Sequence, residues 1–320
     1  MNSRSNTRGG ADDKLSGARV RGVLPVFQMP YHEDESIDFD TLSRQIDWLY
    51  EQGVDGLVLA MVSEVLRLTD DERYRVTEHV CKHSAGRGAV IISVGAESTV
   101  AAEAFARHAE QAGADAVMAI PPVSIGAGED ELRRYYERLL KAVSIPVIVQ
   151  DASGYVGKPM SIELQANLLR EYGQRVMFKP EAEPIGPRLT ALREATQGEA
   201  RVFEGSAGIA LMDTYRRGVT GTMPGADVIQ ALIALWRALE SGDERRAYDI
   251  SDRLTSLVTL QGSLDTFLAV EKHLLVRQGI FRNTIVRGPV GFVMDDETRA
   301  EVDRRYDRLM EAVGSAETAQ

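Results

Sequence analysis

Along the chain, apolar positions fall into two alternating patterns. Eight short runs rich in Val, Ile and small residues recur at 20–25, 56–60, 89–95, 116–121, 146–151, 176–180, 201–205 and 221–225. Runs of that length, apolar at nearly every position, predict buried strands. Between them lie stretches with helical spacing. Leu42, Ile46, Leu49 and Tyr50 precede Gly53, and Leu132, Tyr135, Tyr136, Leu139 and Leu140 precede Ile145-Pro146. Thr69-Asp-Asp-Glu72 forms a capping box in which the threonine and the glutamate each satisfy an open backbone N–H, fixing where the second helix starts. After the eighth run the pattern is helical only, over roughly 228–239, 244–260, 264–278 and 296–312.

Eight βα units over roughly 220 residues predict an α/β protein, a closed (β/α)8 TIM barrel with a C-terminal helical appendage. An open doubly wound sheet fits less well, because no G-x-G-x-x-G follows the first strand. The barrel is expected over 20–240 and the helical region over 241–313, with a disordered tail at 1–19 and a short one at 314–320. The first residues are polar and lack the apolar core of a signal peptide. In a barrel the chemistry sits at the carboxyl ends of the strands. The residues there are Gln28, Ser63, Glu64, Pro121, Gln150, Asp151, Lys179, Glu181, Glu204, Ser206 and Met223.

Lys179 changes the picture most. It ends an apolar run, Val176-Met-Phe-Lys-Pro-Glu181, in a chain with only six lysines against thirty-one arginines. Arginine supplies charge anywhere, but only lysine can lose its proton, attack a carbonyl and form a Schiff base. An ordinary lysine is almost wholly protonated at neutral pH, so this role needs a site that takes the proton away. The competing reading is an ion pair with Glu181 or Glu204. Each neighbour likewise has a structural alternative. Ser63 reads as a binding hydroxyl or a turn cap, and Glu64 as a proton carrier or the partner of a buried cation. Asp151 and Glu204 read as ligand contacts or as strand-end acceptors that begin turns. Gly205-Ser-Ala-Gly208 reads as an anion-binding approach to a helix or a tight turn.

Composition narrows the partners. The 320 residues are 44% apolar and 27% charged, with a net charge of −11. With a pI near 5.1, nucleic acid and anionic membrane are not expected, leaving small molecules. No apolar run approaches the roughly 20 residues that span a bilayer. The single cysteine, Cys81, permits neither an intrachain disulfide nor a cysteine metal site, and fits a reducing cytoplasm. His79 and His83 form the one histidine pair at helical spacing and lie far from the strand ends, so neither metal nor cofactor is expected.

Several segments resemble the class I aldolase superfamily that includes dihydrodipicolinate synthase and N-acetylneuraminate lyase. They are Gly56-Leu-Val-Leu-Ala-Met-Val-Ser-Glu64 with Leu68-Thr-Asp-Asp-Glu-Arg73, Ile145-Pro-Val-Ile-Val-Gln-Asp151, Phe178-Lys179 and Gly218-Val-Thr-Gly-Thr-Met223. The resemblance runs from about residue 20 to 313. It implies that Lys179 forms an imine with a 2-oxo acid, whose carboxylate is held by the Val62-Ser63-Glu64 loop. It also implies a homotetramer or homodimer.

The departures are specific. The synthase loop Gly-Thr-Thr-Gly-Glu is here Ala60-Met-Val-Ser-Glu64, and the catalytic tyrosine after strand five is Gln150. The arginine that follows aligns with Tyr155, and the interface tyrosine with Val123 or Ser124. Lysine biosynthesis is therefore not expected. The sugar-acid branch, with 2-keto-3-deoxy-L-arabonate dehydratase, is similar at four strand ends, those of Ser63-Glu64, Gln150-Asp-Ala, Phe178-Lys-Pro-Glu181 and Glu204-Gly205. The resemblance implies a dehydratase of a 2-oxo-3-deoxy sugar acid. Lys179, Glu64, Gln150 and Glu181 would do the chemistry, and Val62, Ser63, Asp151, Glu204, Gly205, Ser206 and Met223 would bind substrate. The alternatives are a carbon–carbon lyase on the same imine and a non-catalytic barrel that binds a metabolite.

Overall fold

The computed structural model describes Gly17, residues 19–153 and residues 158–314. Of the tails expected at 1–19 and 314–320, residues 1–16, 18 and 315–320 lie outside the described residues, as does Tyr155. Among the described residues eight strands alternate with eight helices. They run β1 Gly22–Val23, α1 Phe39–Gln52, β2 Gly56–Leu59, α2 Asp70–His83, β3 Ala89–Ser93, α3 Thr99–Ala112, β4 Ala116–Ala119 and α4 Glu129–Ala142. There follow β5 Val147–Asp151, α5 Ile162–Tyr172, β6 Val176–Pro180, α6 Ile185–Ala195, β7 Phe203–Glu204, α7 Leu211–Arg216, β8 Gly221–Thr222 and α8 Ile229–Ser241. Three more helices come after: α9 Glu244–Val258, α10 Leu264–Arg277 and α11 Asp296–Gly314.

Every strand pair is parallel. β2 to β6 form one run in sequence order, and β7, β8 and β1 form another. Single bridges join the two runs at both seams, Phe178 with Val202 and Val26 with Val58, so the eight strands close into a ring. Three strands, β1, β7 and β8, are only two residues long, well short of the apolar runs that predict them. Pro25 and Pro224 explain two of these, because each interrupts the ladder by having no N–H to donate. Their carbonyls still accept, from Val58 N at 2.9 Å and Val26 N at 2.7 Å, and carry the seam past the break.

The strand residues divide strictly by parity. Val58, Ile91, Ala116, Met118, Ile148, Met177 and Phe203 fill the barrel interior, while Leu57, Val90, Val117, Val149 and Phe178 pack outward against the helices. Residues an even number of steps beyond the inward set therefore point into the barrel mouth. At the opposite end Arg19 donates to Gly88 O at 3.1 Å, and Arg201 to Gly17 O at 2.8 Å, so packing begins before the expected end of the tail. No helix of the described residues is long and apolar enough to cross a membrane.

Between α10 and α11 the chain has no regular structure and crosses to α2 as a strap. Arg287 ties it down, donating to Glu72 Oε1 and Oε2 at 2.7 Å each. Glu72 is also the capping-box glutamate, accepting from Thr69 N at 2.9 Å, and Thr69 caps α2 in return. The Arg287 guanidinium, aided by Thr69, holds the Glu72 carboxyl down to about 2. A depressed folded pKa contributes stability above the unfolded value and loses it as pH falls. Arg287→Ala is expected to raise hydrogen exchange across the strap at neutral pH. It should also reduce the loss of stability between pH 4.5 and 2, measured by urea unfolding at each pH.

Candidate active site

At the carboxyl ends of the strands lies a cavity with an empty volume of about 470 Å³, in the range that encloses a small metabolite. Its polar side chains are Gln150, Lys179, Glu181 and Glu271, set among Val62, Met61, Met223, Leu264 and Phe267. Parity decides which predicted residues meet there. Lys179 and Glu181 continue the inward row of Met177, Gln150 that of Ile148 and Gly205 that of Phe203, while Val62 reaches the space from the 3-10 turn after β2.

The lysine is 4% exposed, and its Nζ donates to Glu181 Oε1 at 2.9 Å. Glu181 Oε2 accepts from Gln150 Nε2 at 2.8 Å, a consequence of the register that sets Gln150 beside Lys179. Gln150 Oε1 is buried without a partner among the described residues. Gly205 makes room for this triad by having no side chain, since a Cβ there would lie 2.7 Å from Lys179 Cε and 2.9 Å from Glu181 Oε1. The group is a buried amine beside a carboxylate that can receive its proton, which is what imine formation requires.

Other predicted residues lie elsewhere. Asp151 has outward parity, and its carboxylate accepts from Met160 N at 3.1 Å and Ser153 N at 3.3 Å, beginning the turn after β5. Glu204 also falls out of the inward row. It accepts from Thr222 Oγ1 at 2.6 Å and from the backbone and hydroxyl of Ser206, whose hydroxyl in turn accepts from Ala210 N at 2.9 Å. The Ser63 hydroxyl donates to Phe27 O and accepts from Ala60 N at 3.2 Å, stitching the ends of β1 and β2 together.

Glu64 is the clearest displacement. It sits in the left-handed region at φ 57°, between two single turns of 3-10 helix, and its side chain faces away from the Lys179 cavity. Its carboxylate is bonded to Lys272 Nζ and accepts from Arg287 N at 3.0 Å. Lys272 also donates to Ile285 O and lies 4.6 Å from the centre of the Tyr31 ring. Both members of this pair are fully enclosed, so the pair holds the loop after β2, α10 and the strap together.

Two acids that the sequence reading passed over complete the site. Glu271 on α10 is 1% exposed and Asp227, before α8, is 3% exposed. Glu271 Oε1 and Asp227 Oδ1 both lie within 3.0 Å of the point a Gly225 Cβ would occupy. Glu271 Oε2 accepts from Gln28 Nε2 at 2.9 Å. Burial, and then the nearby Asp227, push the Glu271 carboxyl well above the ordinary range, and burial does the same to Asp227. A signal did exist. Glu271 falls on the buried stripe of α10 with Phe267, Leu268, Leu274 and Leu275, where an acid is out of place.

Removing one partner of an enclosed ion pair strands the other charge, at a cost of about 3–5 kcal/mol, whereas an apolar replacement of both is often neutral. Glu64→Gln is expected to destabilise the fold by about that amount in urea unfolding, with most of it recovered in Glu64→Gln/Lys272→Met. The acid pair gives a different dependence. A carboxyl with a raised folded pKa contributes stability fully below its unfolded value and loses it as pH rises. Wild type should therefore lose stability relative to Glu271→Gln as pH rises from 4.5 through neutrality, read from melting temperatures across that interval.

A model of the dihydrodipicolinate synthetase family matches residues 19–306. The L-2-keto-3-deoxyarabonate dehydratase of Azospirillum brasilense is 31% identical over 309 residues, 92% of this chain and 97% of that protein. The 4-hydroxy-tetrahydrodipicolinate synthase of Bartonella bacilliformis is 29% identical over 240 residues, 74% of this chain and 81% of that one. Among solved structures, dihydrodipicolinate synthase from Rhodopseudomonas palustris matches with a TM-score of 0.82 at 25% identity, covering 91% of this chain and 98% of that one. A match that runs through all eight strands and the helices after them, in geometry as well as in sequence, makes the chain a member of the dihydrodipicolinate synthetase family of lyases.

Proposed function

We propose that the protein dehydrates a 2-oxo-3-deoxy sugar acid through an imine on Lys179. The observation that carries this reading is the enclosed Lys179–Glu181 pair with Gln150 completing it, in a cavity sized for a small acid. The likeness to the Azospirillum dehydratase along nearly its whole length supports the choice of substrate class.

As the substrate ketone approaches, Glu181 takes a proton from Lys179 and the amine adds to C2. Glu181 returns the proton to the carbinolamine hydroxyl, which leaves as water and gives the iminium. The iminium withdraws electrons and acidifies C3, and the freed Glu181 carboxylate, beside the nitrogen, receives the C3 proton. The resulting enamine expels the C4 hydroxyl, and water then hydrolyses the imine to release product. Gln150 carries no labile proton. It orients Glu181 through its Nε2 and offers its unpartnered Oε1 to a substrate hydroxyl. Val62, at the backbone turn after β2, and Met223 bound the space for the carboxylate end.

Borohydride with pyruvate should leave a reduced adduct on the peptide containing Lys179, and none in Lys179→Ala. Mass spectrometry of products from five- and six-carbon 2-oxo-3-deoxy acids should show loss of one water, falling to background in the variant. Release of pyruvate as the main product would instead indicate carbon–carbon cleavage. Full activity in Lys179→Ala would exclude the imine.

A further inference from the structure

The cavity has two carboxyl walls, and only one belongs to the lysine. On the β5–β6 side, both oxygens of Glu181 accept hydrogen bonds, from Lys179 and Gln150, the arrangement of a carboxylate. On the β8–α10 side, Glu271 lines the same space beside Pro224 and Gly225. From the placing of these two walls we infer that Glu271 is an uncharged catalytic acid whose proton leaves with the C4 hydroxyl of the substrate. This role rests on the imine reading above and adds the proton donor that it lacks.

The charge state follows from the neighbours. Asp227 is enclosed with Glu271 around the side-chain-free point of Gly225, and two carboxylates that close and that dry do not both ionise. Lys272 adjoins Glu271 and favours its charged form, but its ammonium is bonded to Glu64 and Ile285 O, and burial and Asp227 outweigh it. Asp227 has Gln261 as a hydrogen-bond partner, and Tyr306 of α11 lies close enough to feel its charge. Neither is a cation. One proton therefore stays with the pair; burial raises the affinity of both carboxyls for it, and repulsion from Asp227 raises that of Glu271 further. Its place is also fixed. Gln28 Nε2 donates to Glu271 Oε2, which leaves Oε1, the oxygen over Gly225, to carry the hydrogen.

Two carboxyls held in opposite states around one substrate are the usual division between base and acid. The C3–H bond breaks, its proton goes to Glu181, and its electron pair forms the enamine as the C=N pair moves to nitrogen. That pair then returns, C=N re-forms, a C3–C4 double bond forms and the C4–O bond breaks. The departing oxygen takes the proton from Glu271 Oε1 and leaves as water. Glu181 now holds a proton and Glu271 lacks one, and the water that enters for imine hydrolysis carries it back.

The test separates this step from the imine. In Glu271→Gln, pyruvate trapping by borohydride and exchange of C3 hydrogens into deuterated water should persist, since both need only Lys179 and Glu181. Dehydration should fall about 100-fold or more in kcat, with KM little changed. Glu271→Asp, which keeps the proton but shortens the reach, should recover part of the rate. Infrared difference spectra at pH 7 between wild type and Glu271→Gln should show the loss of a protonated-carboxyl band, independently of turnover. Undiminished dehydration in Glu271→Gln, or no such band, overturns the inference while leaving the imine intact. Failure of wild type to trap pyruvate overturns both.

Discussion

In a closed parallel barrel a strand offers its side chains only two directions, into the barrel or out to the helices, and the whole site depends on that constraint. The row that ends in Met177 delivers Lys179 and Glu181 to the mouth, and the row that ends in Ile148 delivers Gln150. The register between β5 and β6 then sets Gln150 beside Lys179, so one amide, one amine and one carboxylate meet without any loop having to place them. Sites built on strands in this way keep their geometry because the packing on both faces fixes each rotamer.

The same constraint explains how much could be read in advance. Eight apolar runs and the helical spacing between them were enough for the barrel, and Lys179 was legible because a lysine at the end of such a run has no packing role. Gln150 and Glu181 share its site by parity. Asp151 and Glu204 stand at strand ends that match the sugar-acid branch, but one residue of offset puts each on the other face, where they accept backbone and hydroxyl hydrogen bonds. Ser63 and Glu64 follow the end of β2, where 3-10 turns replace the two-residue period and parity no longer applies.

What sequence spacing could not show is long-range pairing. Glu64 and Lys272 are 208 positions apart, and Gln28 and Glu271 are 243 apart. An acid and a base that find each other across that distance leave no local pattern, although Lys272 and Glu271 stand out as charged residues on the buried face of α10. The enclosed Glu64–Lys272 pair contributes little as an attraction in itself. Its effect is to make the position of α10 conditional on the loop after β2, and so to tie the last wall of the cavity to the first strands.

That wall comes from outside the eight βα units. Leu264, Phe267 and Glu271 belong to a helix that is synthesised only after every strand of the barrel has left the ribosome. Without that helix the space around Lys179 would lack one of its walls and open to water. The buried amine of Lys179 therefore owes its enclosure to the part of the chain made last, and the C-terminal helices complete a cavity that the eight βα units alone leave open.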